Sequence, residues 1–153
     1  MADVRWLDER EARLWRAYRE LTRELQRTFE RQLERDAGLS GADYAVLAPV
    51  SEAEDGVIRM RELGHEVGWD RSRLSHQVTR MQKRGLVVRE DCADDARGAM
   101  VRITPAGREA IEAAAPEHVG TVRRHFFDHL SEREQATLTR VFERLLAAQR
   151  HDG

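Results

Sequence analysis

The chain has 153 residues, of which 41% are hydrophobic, 35% charged and only 6% aromatic. That length supports about one domain with a modest core, and the composition suits amphipathic helices better than a large sheet. A formal net charge of −2 argues against a protein that coats nucleic acid indiscriminately, so the distribution of charge matters more than its sum.

Apolar residues at Leu7, Leu14, Tyr18, Leu21, Leu25, Phe29 and Leu33 predict a long amphipathic helix over 7–35 with a narrow seam for packing on other helices. Residues 36–40, with Gly38, break it. Ser40 and Asp43 form a capping-box start for a short helix through Tyr44, Val46, Leu47 and Val50, whose last turn Pro49 should weaken. An acidic loop at 52–56 and a short strand at 57–60 follow. A two-turn helix at 61–67 is stopped by Gly68, and Trp69 makes the turn. Asp70 caps the next helix, since a carboxylate accepts the free N–H groups of a first turn. Leu74, Val78 and Met81 share its inward face, and Gly85 provides a left-handed stop.

Residues 86–91 and 99–103 read as two strands of a hairpin, with the polar stretch DCADDARG between them. Thr104-Pro105 is a helix start, a hydroxyl cap followed by proline at the first helical position. That helix is expected through Ile111, Ala115, Val119, Val122 and Phe126 to Leu130, bent at Pro116. Ser131 and Glu134 open a final helix over Leu138, Val141, Leu145 and Leu146.

The fold class expected is mainly α (α+β): one domain over 1–153, with a winged helix-turn-helix lobe at 40–104 and a two-stranded wing. Helices at 7–35 and 105–148 flank the lobe. Their apolar seams exceed what so small a lobe could cover, so both ends are expected to pack against a second copy in a homodimer.

Chemistry concentrates in residues 69–104. From Arg71 to Arg89 the basic residues are Arg71, Arg73, Arg80, Lys83, Arg84 and Arg89, with no acid among them. This local charge of +6 in an acidic chain is the mark of a phosphate-binding face. A short helix exposing Arg, Ser, His and Thr fits the major groove of DNA, and an Arg-tipped hairpin beside it reaches the flanking groove. The expectation is double-stranded DNA binding rather than catalysis. The sequence carries no glycine-rich phosphate loop, nucleophile elbow, HExxH or CxxC, and no cofactor is expected. A winged helix serving only protein contacts would not need the acid-free basic stretch.

With these residues in place, the chain resembles the multiple antibiotic resistance regulator (MarR) family of bacterial transcription factors. The resemblance covers nearly the whole chain and rests chiefly on SRLSHQVTRMQKRGLVVRE and on DDARGAMVRITPAG. The second stretch carries an Asp-x-Arg wing, here Asp95-Ala96-Arg97, running into Thr-Pro-x-Gly. The resemblance implies a dimeric regulator, a repressor in the reading adopted here, on an imperfect inverted repeat. DNA release by a small aromatic or anionic effector is also implied. Residue by residue, it implies major-groove contacts from Arg71, Ser72, Arg73, Ser75, His76 and Thr79. Phosphate contacts fall to Arg80, Lys83 and Arg89, and the wing contact to Arg97, held by Asp95.

Other residues carry two readings. His76 either contacts DNA or merely lines the interface. Tyr18 and Tyr44, like Trp15 and Trp69, are core or seam residues, or the two tyrosines line the effector pocket. His125 and His129, four apart on the expected helix, could share a metal, but no carboxylate or Cys stands at ligand spacing, so no metal is expected. Cys92 is a structural thiol or, near arginines, a redox-sensitive one. A single cysteine and the lack of a long apolar run point to a cytoplasmic protein with no membrane span.

Overall fold

A computed structural model describes residues 4–91 and 98–151. Helix α1 (Glu9–Ala37) begins at a capping box between Asp8 and Glu11 and ends at Gly38, whose left-handed φ of 61° turns the Leu39 N–H back to the Leu33 carbonyl at 3.3 Å. Helix α2 (Gly41–Glu52) starts at the expected Ser40–Asp43 box. Pro49 does not loosen its last turn, and the Ala53 N–H still bonds the Pro49 carbonyl at 3.1 Å. The proline forfeits one backbone bond, while Val46, Leu47 and Val50 are buried completely and hold the turn by packing.

Strand β1 (Val57–Arg59) leads into helix α3 (Met60–Val67), then helix α4 (Arg71–Lys83) and strands β2 (Val87–Asp91) and β3 (Ala99–Ile103). The sheet has three antiparallel strands in the order β1-β3-β2. The two-stranded wing is therefore extended by β1, which pairs Ile58 with Val101 while β2 pairs Arg89 with the same residue. This pairing ties the start of the helix-turn-helix to the base of the wing.

Helix α5 (Pro105–His125) is capped by Thr104, whose hydroxyl accepts the Gly107 N–H at 3.0 Å. A Cβ at Gly107 would overlap the Leu86 carbonyl oxygen, so glycine lets the first turn of α5 lie against the chain leading into β2. The helix runs through Pro116 but stops short of the expected Leu130. Phe126 leaves helical geometry (φ −131°, ψ −67°), and a 3-10 turn covers Phe127–His129. The Phe126 and Phe127 rings meet edge to face with centroids 5.3 Å apart, a contact that neighbours in a helix cannot make because their side chains diverge. Helix α6 (Glu132–His151) follows the expected Ser131–Glu134 cap.

The core lies in the middle lobe. Leu47, Val50, Leu63, Leu74, Val78, Met81, Val87 and Val101 are all buried to 1% exposure or less. The long helices contribute only their lobe-proximal parts, Leu33 from α1 with Ile111 and Ala114 from α5. Beyond these, Leu7 just before α1, Leu14, Trp15, Tyr18 and Leu21 on α1, and Phe142, Leu145 and Leu146 on α6 are exposed in the single chain. Among the described residues, no helix is long and apolar enough to cross a membrane.

Candidate nucleic-acid interface

Helix α4 is amphipathic, with one face packed and the other open. Leu74, Gln77, Val78 and Met81 face the lobe. Arg71, Ser72, Arg73, His76, Thr79, Arg80 and Lys83 are exposed on the other side, and Ser75 is half-buried at the edge. The cap forms as expected, with Asp70 Oδ1 accepting the Arg73 N–H at 2.9 Å. Two arginines in the first turn oppose the helix dipole, a local cost that an anionic ligand would offset. The Arg73 guanidinium sits over the Trp69 ring, 4.3 Å from its centroid. Thr79 turns its hydroxyl back to donate to the Ser75 carbonyl at 2.9 Å.

Beneath α4 lies a polar network that sequence reasoning missed. The Asp43 carboxylate, 2% exposed, accepts from Gln77 Nε2 at 2.7 Å, from Arg84 Nη1 at 2.6 Å and from the Ser40 N–H at 2.9 Å. Gln77 Oε1 in turn accepts from Arg80 Nη2 at 2.7 Å. A buried carboxylate is tolerable only when its lone pairs are so filled, and here the filling fastens α4 onto α2. The one available signal was Gln77 itself, a polar residue standing within the Leu74–Val78–Met81 stripe.

Arg89, expected as a phosphate contact, is half-buried on β2, where its Nη2 donates to the Ser75 carbonyl at 3.0 Å and lies 3.3 Å from Ser75 Oγ. Its backbone N–H donates to Gln82 Oε1 at 2.7 Å. Arg89 thus braces the exposed edge of α4 against the sheet. Of the six basic residues in the acid-free stretch, Arg71, Arg73, Arg80 and Lys83 remain on the outer face of α4, while Arg84 is committed to Asp43. The hairpin is further pinned by the Arg102–Glu90 ion pair at 2.6 Å, whose hydrogen bond lowers the Glu90 carboxyl pKa.

The MarR family profile matches residues 37–98, from the end of α1 to the wing. Over the whole chain, the structure is similar to AbsC, a MarR family transcriptional regulator from Streptomyces coelicolor. That match has 37% identity and a TM-score of 0.92, covering 97% of this chain and 99% of AbsC. The chain belongs to the MarR family of transcriptional regulators. It is similar also to Sco3205, a MarR family regulator from the same organism solved in complex with DNA, at 39% identity, TM-score 0.90, and 96% and 91% coverage. A probable transcriptional regulator from Pseudomonas aeruginosa matches at 28% identity and TM-score 0.67, with 82% and 93% coverage. No curated protein matches the chain significantly.

In this MarR-family lobe the remaining expected residues fall in three places. Asp95 and Arg97, and Cys92 with them, lie outside the described residues. Tyr18 stacks on Trp15 with centroids 5.4 Å apart, on the exposed part of α1. Tyr44 instead meets the His118 ring at 4.4 Å, and His118 also contacts Phe29 at 5.3 Å. Phe29 stands eleven residues, about 16 Å of helix, beyond Tyr18, so one chain does not bring the two tyrosines together.

His118 Nδ1 lies 3.1 Å from Oε1 of the buried Gln32, and burial pushes the imidazole pKa down. Burial, with the Glu52 charge nearby, pushes the Tyr44 phenol up. The break at Phe126 puts His125 and His129 on different elements, which removes the shared helix face their spacing suggested. Among the described residues, no group of three or more His, Cys, Asp or Glu gathers as a metal site.

A cleft of about 900 Å³ opens between α3, the start of α4 and the sheet. Its lining includes the apolar Met60, Trp69 and Leu74, the cations Arg59, Arg71 and Arg89, and one carboxylate, Glu62.

Proposed function

We propose that this protein is a sequence-specific DNA-binding repressor that acts in the cytoplasm as a homodimer on an inverted-repeat operator. The observation that carries the reading is the outer face of α4. Arg71, Ser72, Arg73, His76 and Thr79 stand exposed on a helix fastened from below by Asp43 and Gln77 and from the side by Arg89. In this reading the helix lies in the major groove, with Arg71, Arg73, Ser72, Ser75 and His76 at base edges. The methyl group of Thr79 meets thymine, its hydroxyl being turned inward. Arg80 and Lys83 take phosphates and set the register. Arg97, steadied by Asp95, enters the adjacent minor groove. Arg89 acts through Ser75 and Thr79 rather than on the phosphate for which its charge first marked it.

The uncovered apolar faces of α1 and α6 support the dimer. Leu14 is 71% exposed and Leu145 54% in the single chain, far more apolar surface than a lone protomer would leave in water. Two α4 helices related by a two-fold axis would read half-sites about one helical turn, or about 10 bp, apart. The cleft beside Trp69 supports a small aromatic anion as effector, since its lining pairs apolar side chains with guanidinium groups and it adjoins the DNA-reading helix. A gel shift at moderate salt against the DNA upstream of its own gene tests the reading. A discrete complex that outlasts excess unrelated duplex is expected, and binding indifferent to sequence would contradict it.

A further inference from the structure

We infer that Trp69 is a positioning residue for Arg73 and thereby sets part of the base preference of α4. The inference rests on the reading of Arg73 as a groove contact. Both backbones are locked where they stand. Gly68 turns with φ 68°, the Trp69 N–H bonds the Gly64 carbonyl at 3.2 Å, and the Arg73 N–H is held by the Asp70 cap at 2.9 Å. The indole is half-buried against the core cluster, so it cannot follow the arginine about. What remains free is the arginine side chain, which has four rotatable bonds and is exposed. The indole face takes up that freedom by holding the guanidinium carbon 4.3 Å from the ring centroid.

Chemically, this contact differs from the one that occupies Arg84. An ion pair with Asp43 neutralises the Arg84 cation and uses its N–H donors, whereas an aromatic face holds a cation without cancelling its charge. Seated over a ring, a guanidinium keeps in-plane N–H groups for two acceptors side by side, which is what guanine presents at O6 and N7 in the major groove. An arginine held there before the complex forms loses less freedom on binding, and it discriminates more sharply because its donors already point one way.

The test uses the full chain and a duplex enriched from random sequence by the unmodified protein. Affinity is measured for that duplex and for copies with one base pair changed at each position. Arg73→Ala should lose discrimination at one base pair per half-site. Trp69→Leu should lower discrimination at that same pair by about two- to fivefold, the size of one exposed cation–π contact. Trp69→Phe, which keeps an aromatic face, should restore most of it, and Trp69→Leu should add nothing on top of Arg73→Ala.

Should Trp69→Leu fail to fold, ring-fluorinated tryptophan incorporated throughout the chain gives the same comparison without loss of volume. Discrimination should then decline with fluorination when Arg73 is present and stay level when it is alanine. Arg73→Ala losing discrimination while Trp69→Leu or the fluorinated chain does not would overturn the proposal and leave the groove reading standing. A Trp69→Leu loss that persists undiminished in the Arg73→Ala background would also overturn it, marking Trp69 as scaffold alone. Arg73→Ala discriminating like the unmodified chain would overturn both the groove reading and the role of Trp69.

Discussion

Arg84 donates to the buried carboxylate of Asp43 at 2.6 Å and to the carbonyl of Gly38 at 3.0 Å. One guanidinium thus joins the end of α4 to the start of α2 and to the residue that closes α1. Its neighbour Lys83 is exposed on the outer face of α4. Of these adjacent cations, one is committed to the fold and the other faces outward.

The pair separates cleanly by substitution. Arg84→Ala leaves Asp43 buried with only the neutral donors of Gln77 and Ser40, and should cost about 2 kcal/mol of stability, a charged hydrogen bond being worth roughly 1.5–3. Lys83→Ala should stay within about 0.5 kcal/mol of the unmodified chain. It should instead weaken DNA binding and flatten its salt dependence by about one unit of log–log slope. Urea unfolding and salt-titrated binding of both variants check this, and equal stability losses would refute the division.

The exposed leucines of α1 and α6 predict a separate outcome. Leu14→Glu and Leu145→Glu should leave the single chain folded, because neither side chain is buried within it. Each should weaken the dimer at least about tenfold, since burial of a leucine contributes about 1.5–3 kcal/mol. Sedimentation across a dilution series reads the shift, and an unchanged dimer for both would move the interface elsewhere.

His118 makes stability depend on pH. Its folded pKa lies below its ordinary value of 6.5 because burial penalises the imidazolium. The unfolded chain therefore takes up the proton first. Stability is full above about 6.5 and falls as pH drops through the folded value. Asp36, held at about 2 by hydrogen bonds from Arg35 and Gln32, changes only below its ordinary 3.8 and stays outside this window. His118→Phe keeps a ring against Phe29 and Tyr44 but loses the Gln32 bond. It should be less stable at every pH and should lose less on going from about pH 7.5 to about 5.5. Urea midpoints at the two pH values decide this, and an identical slope in both proteins would exclude His118.

The wing carries its own prediction. Arg97→Ala should leave fold and dimer intact while weakening DNA binding, most of all on operators with A·T-rich flanks, where a narrow minor groove concentrates negative potential. Asp95→Ala should give a milder loss. Unchanged affinity for Arg97→Ala on every duplex would remove the wing contact and leave the α4 contacts standing.

Local signals were legible in the sequence because their partners lie within one turn. The Ser40–Asp43 and Ser131–Glu134 boxes, the Thr104-Pro105 start and the stops at Gly68 and Gly85 stand where the residues place them. The exposed polar face of α4 was legible for the same reason, as the complement of the Leu74–Val78–Met81 stripe. What stayed hidden was long-range. Asp43 meets Arg84 forty-one residues away and Gln77 thirty-four away, and no periodicity announces such a pairing. The bond from Arg89 to Ser75 was hidden too, because charge counts do not show which way a side chain turns. The end of α5 was misplaced because Phe126 continues the apolar period, whereas its backbone leaves helical geometry there.

We propose above all that the outer face of α4 reads a DNA sequence. The most direct test is the affinity of the full chain, at fixed moderate salt, for its own upstream region against a scrambled duplex of equal length, with Arg73→Ala in parallel. A preference of about a thousandfold or more for the native sequence is expected, typical of specific regulators. Arg73→Ala should lose about 1–3 kcal/mol on that sequence while its scrambled-duplex affinity changes far less. Equal affinity for both duplexes, or an Arg73→Ala loss of the same size on each, would contradict it.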